Sequence, residues 1–568
     1  MSGMRRWRLA EAPEEVCARL RAELGVSAQL ARLLANRRLA DPAQAAAFLG
    51  ARMAEHLRSP MLFRDMGRAT ERITRALGAG EAIGIYGDYD VDGVSGSALL
   101  VRFLRALGAE PLLYIPHRLR DGYGLNAGGV RRLAEAGARV MITVDCGAVS
   151  HREIGLAQSL GMDVIVCDHH QVSGTPLPAY AVINPIEADA GFPFAGLCGT
   201  GVAFYLAMGV RMQLRQRGGP LPDLRRYLDL VALGTIADLV PVVEENRVLV
   251  KYGLRELAAS DHPGIAALKR VSGVAQLSTG AVGFRLAPRL NAGGRLDDAM
   301  RSVTLLTTAD VTLAERLAVG LDEENRARQS IEREMLDEAI TQVDGAGGVE
   351  TRRSIVLASP VFHPGVVGIV ASRLVERYYR PTVLIAAEEG GVGRGSGRSI
   401  AGLNLYEALA ACRDCLERFG GHRMAAGLSI KLDRVGEFAA RLEAEVAART
   451  QPQDFVPQTV IDAEVGLRAV DGQFFADLDR LEPFGMGNPE PVFLTRAVRV
   501  RDRRIVGETH LKLLLEHDGR VLPAIGFGMA DASVATGDRL DVLFSAMRSE
   551  WDGNEYAELR LRDLRPTP

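Results

Sequence analysis

The stretch "IYGDYDVDGVSGSALL", residues 85–100, sets Asp88, Asp90 and Asp92 at alternate positions where an apolar run stops and a small-residue run begins. Like charges this close repel and raise one another's pKa, so a compensating cation is the first chemistry to consider. Further acids fall at similar places. Asp145 follows the apolar run RVMITV, and Asp168, His169 and His170 follow DVIVC. Asp238 stands in GTIADLVP. Carboxylates with imidazole, and no thiolate set, suit Mn2+ or Mg2+. Two such ions about 3.5–4 Å apart serve in-line displacement at phosphorus. A lone DxD after a strand is more often a turn, because Asp is common in turns. A DHH triplet after an apolar strand is less easily dismissed, and four clusters at successive run ends point to one site.

The elements that must position these residues can be read from residue 78 onward. AIGIYG, PLLYIP, RVMITVDCG, DVIVCDHH and YAVINP read as strands. VSGSALLVRFLRALG, NAGGVRRLAEAG and SHREIGLAQSLG read as the helices between them. That alternation implies βαβ units and a mainly parallel sheet. Ligands of such sheets sit outside the carboxyl ends of the strands, so the acids gather on one edge. Residues 196–260 read as helical and can bring Asp238 to that edge. Residues 309–345 carry dense charge with Gly320 as the sole breaker, the mark of a long solvated helix between two lobes. SIVLASP and TVLIAAE, with GVVGIVASRLVERY between them, start a second α/β unit. ARTQPQDFVPQ near 450 reads as a linker. The tail is strand-like and suggests a small β-barrel. The expected division is a helical segment 1–55, an α/β lobe 56–308, a connecting helix 309–347, a second α/β unit 348–450 and a barrel 455–568.

At 568 residues the chain has room for several domains. Apolar content of 47% and charged content of 24% are those of an ordinary globular protein. The net charge of −3 gives no global basic field, so a nucleic-acid partner has to be held by local patches. Lysine occurs only at Lys251, Lys269, Lys431 and Lys512. Arginine forks suit phosphate, although a codon bias toward Arg explains the ratio more simply. Six cysteines make no disulfide framework, and Cys412 and Cys415 have no second CxxC at zinc-site spacing. They read as structural thiols on successive helical turns. No signal-peptide core and no membrane span are visible, so a cytoplasmic protein is expected, and nothing suggests an obligate oligomer over a monomer.

GDYDVDG, VDCG, CDHH and TIADLVP resemble the successive motifs of the DHH phosphoesterase superfamily. PRLNAGGR, FHPGVVGIVASRL, GSGRSI, FGGHRMAAG and EPFGMGNPEPVF extend the resemblance, in order over residues 30–568, to the bacterial RecJ family of single-strand-specific exonucleases. One departure is small: AGLNLYEAL follows GSGRSI where an aromatic is expected. The resemblance implies a parallel-sheet DHH domain, an α/β DHH-associated domain and a C-terminal oligonucleotide-binding (OB) barrel. It implies that Asp88, Asp90, Asp92, Asp145, His169 and Asp238 hold two Mn2+ or Mg2+ ions. His170 would then contact the scissile phosphate or a ligand carboxylate.

In the second lobe the resemblance and the anion chemistry of a loop GRGSGRS point to Ser396, Arg398 and His422 as substrate contacts. Arg289, Asn291 and Arg295 could reach the strand's backbone, the plain alternative for the arginines being surface ion pairs. In the barrel, RVRDRR supplies charge, and Phe527 and Trp551 could stack on bases, though both are as readily core. The implied activity is 5′-to-3′ degradation of single-stranded DNA to 5′-mononucleotides in recombination and repair, with a RecQ-type helicase and a single-strand-binding protein as partners. Two rivals stay open on the residues alone: a DHH phosphodiesterase of short oligonucleotides or cyclic dinucleotides, and a non-catalytic scaffold, the latter disfavoured by the intact acids.

Overall fold

Apolar runs with no alternation need a sheet covered on both faces, and this is what they form. The computed structural model describes residues 5–118, 120–219, 221–296, 298–551 and 554–567. Its first sheet has five parallel strands in the order Leu112–Tyr114, Ile83–Gly87, Val140–Val144, Asp163–Cys167, Ala181–Ile183. Ile83–Gly87 and Val140–Val144 are buried along their whole length. Val91–Ala106, Gly199–Gln216 and Leu228–Ala237 pack together in the core on one side, with Ile85, Val94, Leu100, Phe204 and Leu233 inside.

The connecting helix, Val311–Gly345, is more than a solvated spacer. Its first half buries Ala314, Ala318 and Leu321 in the core of the first lobe. Its second half buries Met335, Ala339 and Val343 in the core beneath the second sheet. The charged residues cover the remaining face, as an amphipathic helix requires.

The second sheet runs Arg418–Gly421, Ala425–Lys431, Val392–Arg398, Thr382–Ala387, Ile355–Ser359, parallel only between the last two. The GRGSGRS segment expected as a loop is the central strand, Val392–Arg398. Period-two glycines explain it. A Cβ on Gly393, Gly395 or Gly397 would stand 2.5–2.9 Å from Ile385, Leu428 or Leu405. The glycines therefore let the strand lie close on its core, while Arg394, Ser396 and Arg398 take the other face.

The tail closes a five-stranded barrel. Phe493–Val506, His510–His517, Arg520–Gly526, Asn554–Pro566 and Arg539–Trp551 pair in that order, and the last pairs back to the first. The N-terminal segment is part of this unit. Arg6–Leu9 pairs in parallel with Gln458–Ile461. Leu20, Leu30, Leu33 and Phe48 share one core with Phe474, Phe493 and Phe544. Among the described residues no helix is long and apolar enough to cross a membrane. Because Leu30 is fully buried there, Leu30→Ala should cost about 2–5 kcal/mol. Calorimetry should show this as a lowered melting transition of the barrel unit, with the transition of the first lobe unmoved.

Candidate metal centre and phosphate pocket

The first sheet reverses its direction of winding between Ile83–Gly87 and Val140–Val144, the crevice where ligands of such sheets bind. Each strand there hands over to an acid. The Asp88 N–H donates to Val144 O at 3.1 Å, Asp145 N–H to Cys167 O at 2.9 Å, and Asp168 N–H to Ile183 O at 3.2 Å. His169 Nε2 lies 3.0 Å from Asp145 Oδ1, 3.6 Å from Asp238 Oδ2 and 3.8 Å from Asp92 Oδ2. Three sets form: Asp92, His169, Asp238; Asp88, Asp90, Asp145; and Asp145, His169, His170. In each, one ligand atom per residue lies within 4.8 Å of the others. All seven acid and imidazole residues expected at the site are thus brought together.

The cluster is short of positive charge and of hydrogen-bond donors. Asp88, Asp92 and Asp145 are buried. Burial, then the neighbouring carboxylates, push Asp88 and Asp145 well above the ordinary range, and the same causes push Asp238 up to about 9. Asp88 Oδ1 is buried with no hydrogen-bond partner, and Asp145 Oδ1 and His169 Nε2, 3.0 Å apart, lack the geometry of a hydrogen bond. Buried unpartnered oxygens and an imidazole nitrogen are a donor set suited to hard divalent cations.

Local structure aims each group. Asp90 caps Val91–Ala106, its Oδ1 accepting from the N–H groups of Asp92 and Gly93. Asp92 accepts from Gly199 N–H at 2.6 Å and Thr200 N–H at 2.9 Å, so the N-terminus of Gly199–Gln216 stabilises its charge. Close approach demands glycine at several points. A Cβ on Gly199 would stand 2.6 Å from Asp145 Cβ, and one on Gly93 2.6 Å from Asp88 O. Asp145 itself has φ 63, strain of the kind held at functional sites. Asp168 is turned away from the metal sets. It accepts from the N–H groups of Ala148, His169 and His170 and from His170 Nδ1 at 2.7 Å. Burial alone would lower His170, but the Asp168 carboxylate raises it to about 9. Burial likewise opposes the Asp168 charge, and the His170 bond overcomes it, so Asp168 falls below its ordinary value.

The Val392–Arg398 strand borders a cavity that also reaches Tyr89, between Asp88 and Asp90. This cavity of about 440 Å3 is lined by Tyr89 and Arg118 of the first lobe and by Val367, Arg394, Ser396 and Phe419 of the second. Arg398 Nη1 donates to Ser396 Oγ at 2.9 Å. Gly368, in the first turn of Val367–Tyr378, has room for no Cβ: it would lie 2.8 Å from Arg398 Nη2. Burial and then the charge of Arg118 depress the Arg398 guanidinium, and an anion between the two arginines would offset the second cause.

The other expected contacts are spent differently. Asn291 Oδ1 accepts from Val91 N–H at 3.2 Å, bracing the DYDVD turn. Arg289 pairs with Asp322 at 2.8 Å on the connecting helix, the plain ion-pair alternative. His422 is exposed on the turn after Arg418–Gly421. The side chains of Arg295 and Trp551 lie outside those described, and Phe527 is 54% exposed, beside His510. Sequence reading missed Arg118, whose guanidinium lies 5.1 Å over the Tyr89 ring, and Tyr123, whose hydroxyl lies 3.0 Å from His170 Nε2. The basic-aromatic stretch HRLRDGYG was the available signal.

Three family profiles match in succession: DHH family, N-terminal domain, over residues 82–235; DHHA1 domain over 353–448; and RecJ OB domain over 461–563. The single-stranded-DNA-specific exonuclease RecJ of Bacillus subtilis is 38% identical over 567 residues, 98% of this chain and 70% of the relative. The chain belongs to the RecJ family. Within that family, the crystal structure of Thermus thermophilus RecJ in complex with Mn2+ is similar with a TM-score of 0.84 at 33% identity, covering 99% of this chain and 80% of that one. The Mg2+ complex of the same RecJ gives 0.79 at 31%, covering 99% and 79%.

Two outcomes follow. Gly199→Ala, by pressing on Asp145, should weaken Mn2+ binding about 10-fold or more in calorimetric titration. In chelator-treated protein, NMR titration should keep His170 protonated to about pH 9. Asp168→Asn removes the hydrogen bond and the charge that raise His170 most, leaving burial opposed only by Asp238 and Asp88, so the midpoint should fall below that of the parent.

Proposed function

We propose that the chain is a metal-dependent exonuclease that degrades single-stranded DNA from its 5′ end and releases 5′-mononucleotides. One observation carries the reading: a buried acid–imidazole cluster and a basic pocket share one cleft, and Tyr89, between Asp88 and Asp90, lines that pocket. A terminal phosphate at Ser396, Arg398 and Arg118 would leave the first phosphodiester beside the cluster. Polarity and product rest on the family resemblance. The relatives' name, single-stranded-DNA-specific exonuclease, supports the substrate.

Asp88, Asp90, Asp92, Asp145, His169 and Asp238 would hold two Mn2+ or Mg2+ ions, and the unpartnered atoms of Asp88, Asp145 and His169 fit that role. When bound, the ions supply acidified water and neutralise charge developing at phosphorus. The protein's part is placement. His170, kept protonated by Asp168, brings a positive charge to the cluster for a phosphate oxygen, with its ring edge fixed by Tyr123. Arg118 and Arg398 neutralise the terminal phosphate. A cleft too narrow for a duplex would give the single-strand preference that the relatives' name states. Cooperation with a RecQ-type helicase and a single-strand-binding protein goes with this reading, because a duplex must be opened before its strand can enter. A phosphodiesterase of short oligonucleotides would use the same cluster, but the barrel's exposed Arg499, Arg501 and Arg504 favour a longer strand.

The test is digestion of 5′- and 3′-labelled single strands and duplexes with Mn2+, Mg2+ or chelator. Labelled mononucleotide should appear at once from the 5′ label on single strands and not at all with chelator. Early release from the 3′ label would refute the polarity, and activity confined to dinucleotides would favour the rival. Asp145→Ala should abolish release while strand binding persists. Deleting the barrel would uncover the N-terminal helices, so charge removal is the cleaner probe of strand binding. Replacing Arg499, Arg501 and Arg504 by Ala should flatten the plot of log affinity against log salt by about 0.7 for each phosphate left without its arginine.

A further inference from the structure

We propose that the 481–488 turn of the C-terminal unit is a positioning element for the metal centre: it braces the segment that carries Asp238, so the barrel unit serves metal loading as well as strand binding. The inference rests on the reading of Asp238 as a ligand. Asp238 follows the last turn of Leu228–Ala237, and residues 239–243 then run, without helix or strand, to Glu244–Ala259. Leu239 in this span has φ 60. A short irregular span of this kind does not fix a carboxylate by itself.

Two grips hold it. From inside the lobe, Asn246 Nδ2 donates to Pro241 O at 2.9 Å and to Gly196 O at 2.5 Å. That ties the span to the turn leading into Gly199–Gln216, whose first amides hold Asp92. From outside, the 481–488 turn presses on it. Val242 N–H donates to Met486 O at 2.7 Å. A Cβ on Gly485 would stand 2.6 Å from Val242 Cγ2. Gly487, at φ +74, would place one 3.2 Å from Pro241 Cβ.

The turn is itself rigid. Asn488, fully buried, donates to Leu481 O and Pro483 O at 2.8 Å each and accepts from Arg37 Nε at 2.7 Å. Arg247, 1% exposed, sends its guanidinium to the carbonyls of Arg480, Leu481, Glu482 and Pro483, and to that of Phe48. An immobile support touching the backbone next to a ligand is the kind of outer contact that orients metal ligands. The stretch EPFGMGNPEPVF, which no chemical step uses, acquires a role this way.

The test uses the full-length chain and Mn2+ alone, with free Mn2+ followed by electron paramagnetic resonance. Asn488→Ala should weaken Mn2+ binding about 10-fold. The Mn2+ concentration for half-maximal nucleotide release should rise by the same factor, with KM for the strand unchanged. Gly485→Ala should weaken Mn2+ binding in the same way. Adding Val242→Ala, which removes the methyl that the new Cβ meets, should restore it. Asp238→Ala serves as the reference. If Asp238→Ala binds Mn2+ like the parent, the ligand reading fails. If Asp238→Ala weakens binding while Asn488→Ala and Gly485→Ala lower only melting temperature or strand affinity, the brace alone is overturned. Should Asn488→Ala not fold, the Gly485 and Val242 pair decides.

Discussion

Buried carboxylates that cannot all stay ionised in one another's company are the constraint on which the rest of this molecule depends. Two unit charges 4.8 Å apart, the outer limit within each ligand set, repel by roughly 3–4 kcal/mol at an effective dielectric of about 20. Among the described residues no lysine or arginine forms an ion pair with Asp88, Asp90, Asp92, Asp145 or Asp238. The protein meets part of the cost with main-chain N–H groups, on Asp90 and Asp92. The remainder appears as raised proton affinity on Asp88, Asp145 and Asp238, with burial as the first cause and like charge as the second. A site built this way exchanges protons for divalent cations as it loads.

The second lobe answers with the opposite charge. Burial and the nearby Arg118 both work against the Arg398 guanidinium, whose partner Ser396 lines a cavity with Arg118 and Arg394, a setting that favours an anion. This separation of signs within one cleft explains why a net charge of −3 is compatible with a polyanionic substrate. The field that matters is local and is focused by the walls of the cleft.

How much of this was legible in the sequence differs by level. Strand ends were readable because continuous apolar runs stop at an acid, and parallel topology then forces those acids to one edge. The convergence of the acids was legible without any knowledge of packing, while their assignment as ligands came from the family resemblance. The strand Val392–Arg398 was legible in principle, since Gly393, Gly395 and Gly397 alternate with Arg394, Ser396 and Arg398 at a strand's period, yet glycine richness reads first as a loop. Arg118 and Tyr123 were hidden because their roles depend on where a loop folds back, not on spacing. The shared core of Leu30 and Phe493 was hidden for a related reason. Nothing in an amphipathic helix near residue 30 names a partner more than 400 residues away.

The same distance in sequence explains how the strain of the site is carried. Placing several acids together demands backbone in unfavourable states, and a non-glycine residue at positive φ costs about 1–3 kcal/mol. Asp145, in the cluster, has φ 63, and Leu239, next to Asp238, has φ 60. Such strain persists only when the surroundings over-determine it. Here the surroundings come from positions far apart in the chain: Gly199 against Asp145, Asn291 on the Val91 amide, and the 481–488 turn against residues 241–243. The units of this protein are therefore not a catalytic lobe with appendages. The backbone that carries the charges is held by contacts from the first lobe and from the C-terminal unit together.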